Sequence, residues 1–417
     1  MKLSFQIVFI RWKKRLAEKE KRRRLPTRRK LISSLVTTPI YIPFDHQISI
    51  LLRLPVKYLS RFRCVSNLWS SMITSRDFRN MHLNFASSSA PPLLLVALED
   101  LSRKKLLLVS LPNPHASSSS SYCVPYKDLS LLKIVGKVMY NAVRGFICVK
   151  SRLKVKILNP ISRQLQCLPK IKFKDYPKGH PFSEYFFGYD PVEDQYKVLA
   201  IDNSPSRAEH KVLQVGRNRA WREAQCTVAC PHKVHTSGLY MNGTVYYGAS
   251  RTDIDSPNNS MIVSFDVKLE TFKFIKVPSK VLPMGYENMW RVHPCAYGTD
   301  KTLINYKGKL GVVENPRLKG SFRMWVVEDA EKGEWSMNTY HLPKSAAGHY
   351  FMVMDTYSTG EICLVPSQLS DPFCLFYYNL EKNSMRNVIV EGLPISEFKH
   401  AYVTVSDYYE SLMFLGT

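Results

Sequence analysis

From Leu93 onward the chain repeats one short pattern: an apolar run, an Asn or Asp with a turn, and a second run that closes on Leu-Pro or Val-Pro. It occurs as ILNPISRQLQCLP (157 to 169), IVSFDVKLETFKFIKVP (262 to 278) and, with an insertion, MWVVEDAEKGEWSMNTYHLP (324 to 343). FGYDPVEDQYKVLAI (187 to 201) and LFYYNLEKNSMRNVIVEGL (375 to 393) share the strand-turn-strand part. Hairpins such as Met241-Asn242-Gly243-Thr244 and Tyr306-Lys307-Gly308-Lys309 precede some of the units. Runs of β-branched and aromatic residues bounded by turn residues mark antiparallel strands. About 320 residues divided among six or seven such units gives roughly 45 to 55 per unit, the period of a four-stranded propeller blade. A β-propeller is therefore the leading architecture for residues 93–417. Two packed sheets without radial symmetry are the alternative, because the repeats are degenerate.

Ahead of this region the periodicity is helical. Pro43 fixes a start, and Phe44, Ile48, Leu51 and Leu52 form an apolar stripe. Pro55 disfavours helix in Leu54 and is suited to open a second helix carrying Val56, Leu59 and Phe62. Ser66 is a good N-cap for a third, which would place Trp69, Met72 and Ile73 on one face. Three short helices in about forty residues cannot enclose a core of their own, so an apolar face is left for a partner. A plain bundle packed only on itself is the competing reading.

These residues resemble the F-box family. The matches run in order: Ile42-Pro43-x-Asp45, Ile50-Leu51, Arg53-Leu54-Pro55, Leu59, Arg61-Phe62-Arg63-Cys64-Val65-Ser66 and Leu68-Trp69. The resemblance implies docking on a Skp-type adaptor, and through it on a cullin ubiquitin ligase. Pro43, Leu51, Leu52, Leu54, Pro55, Leu59, Val65 and Trp69 occupy the matching adaptor-binding positions. His46 and Ser49 depart from the pattern, where an aliphatic and an acidic residue are usual. The segments EYFFGYDPVEDQYKVLAI, LYMNGTVYYGAS and MIVSFDVKLETFKFIKVP are similar to the F-box-associated domain, type 3, of the large plant F-box group. That resemblance implies a domain that recruits the protein to be ubiquitinated.

The expected class is thus α+β multidomain: a small three-helix F-box module followed by an all-β, kelch-like propeller. The expected boundaries are a basic N-terminal arm (1–39), the helical module (40–84), a linker (85–92) with Ser87-Ser88-Ser89 and Pro91-Pro92, and the β domain (93–417). The mostly serine stretch from Ser117 to Cys123 reads as a surface loop.

The net charge of +25 on 417 residues is high, and much of it lies between Arg11 and Lys30. Within that run Arg22, Arg23, Arg24, Arg28, Arg29 and Lys30 form a nuclear-import candidate or a nonspecific nucleic-acid or anionic-membrane patch, set against a disordered basic arm dispensable for the core activity. Leu3 to Ile10 is apolar but too short to span a bilayer, which takes roughly 20 residues. The strong positive charge follows it rather than preceding it, so a secretory signal is not expected. A location in the nucleus, the cytoplasm or both is expected.

Nine scattered cysteines argue against a disulfide framework. The one cluster, Cys226 and Cys230 with His232 and His235, lacks the separation of ligand pairs that a structural metal site needs. No Walker-type loop, His-Glu-x-x-His helix or nucleophile elbow is present, and Cys148, Cys363 and His349 read as core or surface positions. Neither a cofactor nor a catalytic role is expected. The leading function is the substrate-recognition subunit of a Skp-cullin-F-box ubiquitin ligase, with client contacts in loops such as Asp202 to Arg222 or Ala249 to Asn259. The alternative is a basic nucleic-acid-binding protein on a propeller scaffold, with Trp221, Trp290 and Trp325 as stacking platforms.

Overall fold

In the computed structural model the described residues are 42–100, 105–112, 121–129, 138–151, 154–174, 183–202, 209–216, 220–224, 231–252, 259–278, 281, 301–316, 320–346, 349–356, 360–398 and 401–413. They divide into two compact units at Ala90 and Pro91. The basic run from Arg11 to Lys30, with its import candidate, lies outside the described residues.

The first unit is helical: α1 (Phe44–Leu52), α2 (Val56–Phe62), α3 (Asn67–Thr74) and α4 (Arg76–Ser89). Pro55 stands one position earlier than expected, at the N-cap of α2, where its carbonyl accepts from the Tyr58 and Leu59 amides. Ser66 caps α3 as expected, its hydroxyl accepting from Trp69 N at 3.1 Å. Ser75 ends α3 and caps α4, accepting from Phe78 N at 3.2 Å. The fourth helix adds to the three that the sequence pattern marks. It runs through Ser87 to Ser89, which the sequence marks as linker, and the Ser87 and Ser88 hydroxyls donate to the Asn84 carbonyl at 3.0 and 2.8 Å. Serine is a modest helix former, and back-bonding of this kind satisfies its hydroxyl within the last turns. Phe78, Met81 and Leu83 of α4 are buried, as are Leu51, Leu59 and Met72.

The second unit is a six-bladed β-propeller, within the expected range of six or seven. The first blade joins β1 (Leu93–Asp100), β2 (Lys105–Leu111) and β4 (Lys127–Asp128) to β26 (Tyr402–Tyr408), in the order β26-β1-β2-β4. The second holds β5 (Val138–Val143), β6 (Phe146–Ser151), β7 (Lys154–Asn159) and β8 (Gln164–Cys167). The third holds β9 (Glu184–Asp190), β10 (Gln195–Ile201), β11 (His210–Gln214) and β12 (Arg222–Glu223). In the fourth, β13 (His232–Val234) and β14 (Leu239–Met241) share one side of β15 (Thr244–Arg251), followed by β16 (Ser260–Asp266) and β17 (Phe272–Lys276). The fifth holds β18 (Lys301–Tyr306), β19 (Lys309–Glu314), β20 (Ser321–Asp329) and β21 (Glu334–His341). The sixth holds β22 (Phe351–Thr356), β23 (Glu361–Pro366), β24 (Phe373–Asn379) and β25 (Ser384–Val390). The inner strands β26, β5, β9, β14 with β15, β18 and β22 touch in that order and return to β26, which closes the ring.

The repeat read in the sequence is a repeated turn. Asn159, Asp190, Asp266, Asp329 and Asn379 each end a strand, and in every case the side-chain Oδ1 accepts from the amides two and three residues on. The residue four positions on has positive φ: Arg163, Asp194, Glu270, Gly333 and Asn383. A short Asx side chain is what allows this turn to cap itself, which explains why Asn or Asp recurs at the strand end. Gly145 illustrates a second requirement, since a Cβ there would lie 2.3 Å from Ser411 Cβ.

The ring closes twice. β26 pairs antiparallel with β1, from Leu93 opposite Tyr408 to Glu99 opposite Tyr402. In addition β3 (Ser121–Val124) pairs parallel with β25 in the sixth blade, while β4, only three residues on, pairs with β2 in the first. One stretch of chain thus bridges the two blades at the seam. Ser121 to Cys123 therefore belong to a strand rather than the expected loop, and 117–120 lie outside the described residues.

Candidate docking surface on the helical unit

The helical unit is small, and its apolar residues divide between two duties. Leu51 and Leu59 are wholly buried and Leu52 is nearly so. In this conformation they support a surface instead of presenting themselves on it. Val65 is 61% exposed, Ile50 49%, Tyr58 47%, Ile42 45% and Leu68 40%. Pro43 and Pro55 are exposed as well, and Leu54 and Trp69 are half-buried. Half of the ten large apolar side chains exposed among the described residues thus lie between Ile42 and Leu68. Exposed apolar side chains gathered in so short a stretch make this unit the candidate for a contact surface.

Two polar residues that sequence periodicity does not single out hold this surface in place. The Gln47 side-chain amide donates to the Ile42 carbonyl at 2.8 Å, and its oxygen accepts from Trp69 Nε1 at 3.0 Å. The start of α1 is thereby tied to the start of α3, and Ile42 is brought to the same end of the unit as Trp69. Trp69 also packs edge-on to Phe62, with ring centroids 5.2 Å apart. At the other side, buried His82 of α4 donates through Nε2 to the Leu54 carbonyl at 2.9 Å, fixing the Leu54-Pro55 corner. Burial holds the His82 imidazole below its usual pKa, opposed by the bond to Leu54. Spacing alone reveals neither, because Gln47 and His82 act through partners 22 and 28 residues distant in the chain. Six cationic residues against two acidic ones between Ile42 and Ala90 make the unit basic.

The stacking platforms offered for nucleic acid fare differently. Trp325 is buried at 3% exposure in the core between the fourth and fifth blades, so it cannot stack on a base. The half-buried Trp221 donates its indole N–H to the Pro169 carbonyl at 2.8 Å, and Trp335 does the same to the Lys276 carbonyl at 3.0 Å. Trp335 ties the outer strand of the fifth blade to that of the fourth, and Trp221, just before β12, is tied to the segment just after β8. Trp290 lies outside the described residues. So do Cys226 and Cys230, whereas His232 contacts His210 and the Tyr247 hydroxyl, and His235 contacts the Ser250 hydroxyl at 2.7 Å. Among the described residues no group of three His, Cys, Asp or Glu could hold a metal ion. Cys148 and Cys363 are buried, and burial pushes the Cys148 thiol far above its usual pKa, leaving it protonated. His349 is exposed. Of the proposed client loops, 203–208, 217–219 and 253–258 lie outside the described residues.

Residues 41–81 match the F-box domain family, and residues 93–415 match the F-box associated beta propeller domain. The Arabidopsis thaliana F-box protein At3g47150 is 57% identical over 386 residues, covering 91% of this chain and 98% of that protein. The F-box protein DOR of the same plant is 34% identical over 385 residues, covering 87% of this chain and 91% of its own. F-box/LRR-repeat protein At2g40920, also from Arabidopsis thaliana, is 33% identical over 399 residues, covering 89% of this chain and 87% of its own. Among solved structures, the WD40 domain of SCAP from fission yeast is 9% identical, with 78% of this chain and 97% of that chain covered at a TM-score of 0.36. The blade count therefore rests on strand pairing alone.

Proposed function

Because this chain belongs to the F-box proteins that carry an F-box associated β-propeller, we propose that it is the substrate-recognition subunit of a Skp-cullin-F-box ubiquitin ligase. The helical unit docks on the Skp-type adaptor, and the propeller recruits a client protein. F-box proteins in general act as adaptors rather than enzymes, and the same holds here. The subunit makes or breaks no bond, and raises the effective concentration of client lysines near a ubiquitin-charged enzyme.

The observation that carries this reading is the exposed apolar set from Ile42 to Leu68 over a buried Leu51-Leu59 support. Of the eight residues matched to the motif, Pro43, Pro55 and Val65 touch the adaptor directly, with the half-buried Leu54 and Trp69 at the margin. Leu51, Leu52 and Leu59 act through the shape they impose. The basic character of the unit favours an acidic face on the partner. The test is capture of the full chain by purified adaptor, comparing the native chain with Val65→Glu. Capture lost in the variant and present in the native chain supports the reading; native chain that folds and is not captured overturns it. The basic run before Lys30 directs the protein to the nucleus under this reading, which is checked by imaging a fluorescent fusion with and without residues 11–30.

A further inference from the structure

We propose that Ser66 is a phosphorylation site for a basophilic protein kinase, and that its modification switches off docking by the helical unit. The inference deepens the adaptor-docking reading and rests on it. Two observations converge on this residue. Arg61 and Arg63 stand five and three positions before it in Arg61-Phe62-Arg63-Cys64-Val65-Ser66, the spacing at which cations meet the acidic groups of a basophilic kinase cleft. The five consecutive residues from Cys64 to Leu68 are all exposed, and Ser66 itself has extended backbone, φ −158° and ψ 159°, between α2 and α3.

The chemistry is phosphoryl transfer from a nucleoside triphosphate. Ser66 Oγ attacks the γ-phosphorus, the Oγ–P bond forms, and the bond from that phosphorus to the bridging oxygen breaks. The nucleoside diphosphate leaves, and the hydroxyl proton passes to the base of the kinase. The product does not melt the fold. Ser66 already accepts from Trp69 N, and a phosphate at an N-cap accepts more strongly and suits the positive end of α3. What changes is the surface. Val65 and Leu68, 61% and 40% exposed, flank Ser66, so close to two negative charges come to lie between two apolar contacts. Burying that charge against an apolar partner is strongly disfavoured. The Trp69 and Phe62 rings stay packed, so the unit remains folded and is silenced only as a docking element.

The test treats the full chain with a purified basophilic kinase and ATP, and locates the phosphate by mass spectrometry. Adaptor capture is then compared before treatment, after it, and after removal of the phosphate by a phosphatase. Expected are phosphate on Ser66, a loss of affinity of about tenfold or more, and recovery after the phosphatase. Ser66→Asp should weaken capture in the same direction with the thermal unfolding midpoint retained, since Asp is also a good cap. A chain left unmodified at Ser66, or one phosphorylated there and captured as tightly as before, overturns the inference and leaves adaptor docking standing. Failure of the untreated, folded chain to be captured overturns the docking reading instead.

Discussion

The two units of this protein handle apolar surface in opposite ways. In the propeller, Tyr377, Tyr247 and Phe265 are essentially fully buried, each blade covering the next around a closed ring. In the helical unit, Val65 stays 61% exposed while the wholly buried Leu51 and Leu59 form a minimal interior. The propeller is a finished object whose specificity must come from what decorates it. The helical unit is an unfinished one whose missing surface belongs to another protein. Size decides between the two, because four helices bury too little to hide every apolar side chain they carry.

That contrast breaks most readily in the propeller core. Phe265→Ala should cost about 3 to 5 kcal/mol, seen as a large drop in the unfolding midpoint. Adaptor capture at temperatures where the variant is folded should be unaffected. If capture falls as well, the units are not independent in function. Acid should come next. Burial, aided by Lys233, lowers the His235 pKa to about 4 from 6.5. The unfolded chain therefore binds the proton first as pH falls, and stability present above pH 6.5 is lost progressively down to about pH 4, on the order of 3 kcal/mol. Replacing His235 by Gln should flatten the pH dependence of propeller unfolding over that window. An unchanged slope would mean that another group titrates there.

Smaller in energy and larger in function is the change of Val65 and Leu68 to Glu. Adaptor affinity should fall about tenfold or more, while both thermal transitions stay within roughly 0.5 kcal/mol of the native values. Loss of folding in this variant would mean that the two side chains complete the core of the unit and do not await a partner. Gln47→Ala sharpens the same point at the lowest cost. It leaves the Trp69 indole N–H and the Ile42 carbonyl without their partner, at about 1 to 2 kcal/mol, so the helical unit should soften and capture should weaken modestly.

What could be read from the sequence follows the range of the forces involved. Strands β9, β10, β16, β17, β24 and β25 were legible because alternating Val, Ile, Tyr and Phe and the Asx turn are local signals. The N-cap at Ser66 was legible for the same reason. β3 was not, since its four residues follow directly on a serine run that reads as loop, and the pairing that makes them a strand is to β25, more than 260 residues away. Nor was α4, which takes in Ser87 to Ser89. On the docking surface, motif positions were legible but their depth was not. Leu51, Leu59 and Val65 look alike as apolar letters, and only packing separates the two that support the surface from the one that forms it. Trp221 shows the same limit, since its indole is committed to the Pro169 carbonyl across a blade boundary.

The pairing of β26 with β1 has a consequence for biosynthesis. A ribosome delivers β1 first and β26 only after five further blades have left the exit tunnel. Throughout that interval the inner edge of β1, with alternate amides between Leu94 and Leu98 among wholly buried side chains, has no strand to pair with. A chain cut before Tyr402 leaves a ring that cannot shut, with an unpaired edge at its centre. Closure of the ring thus hangs on the pairing of two strands from opposite ends of the propeller sequence: losing β26 alone exposes the inner edge of β1 as fully as losing several blades would.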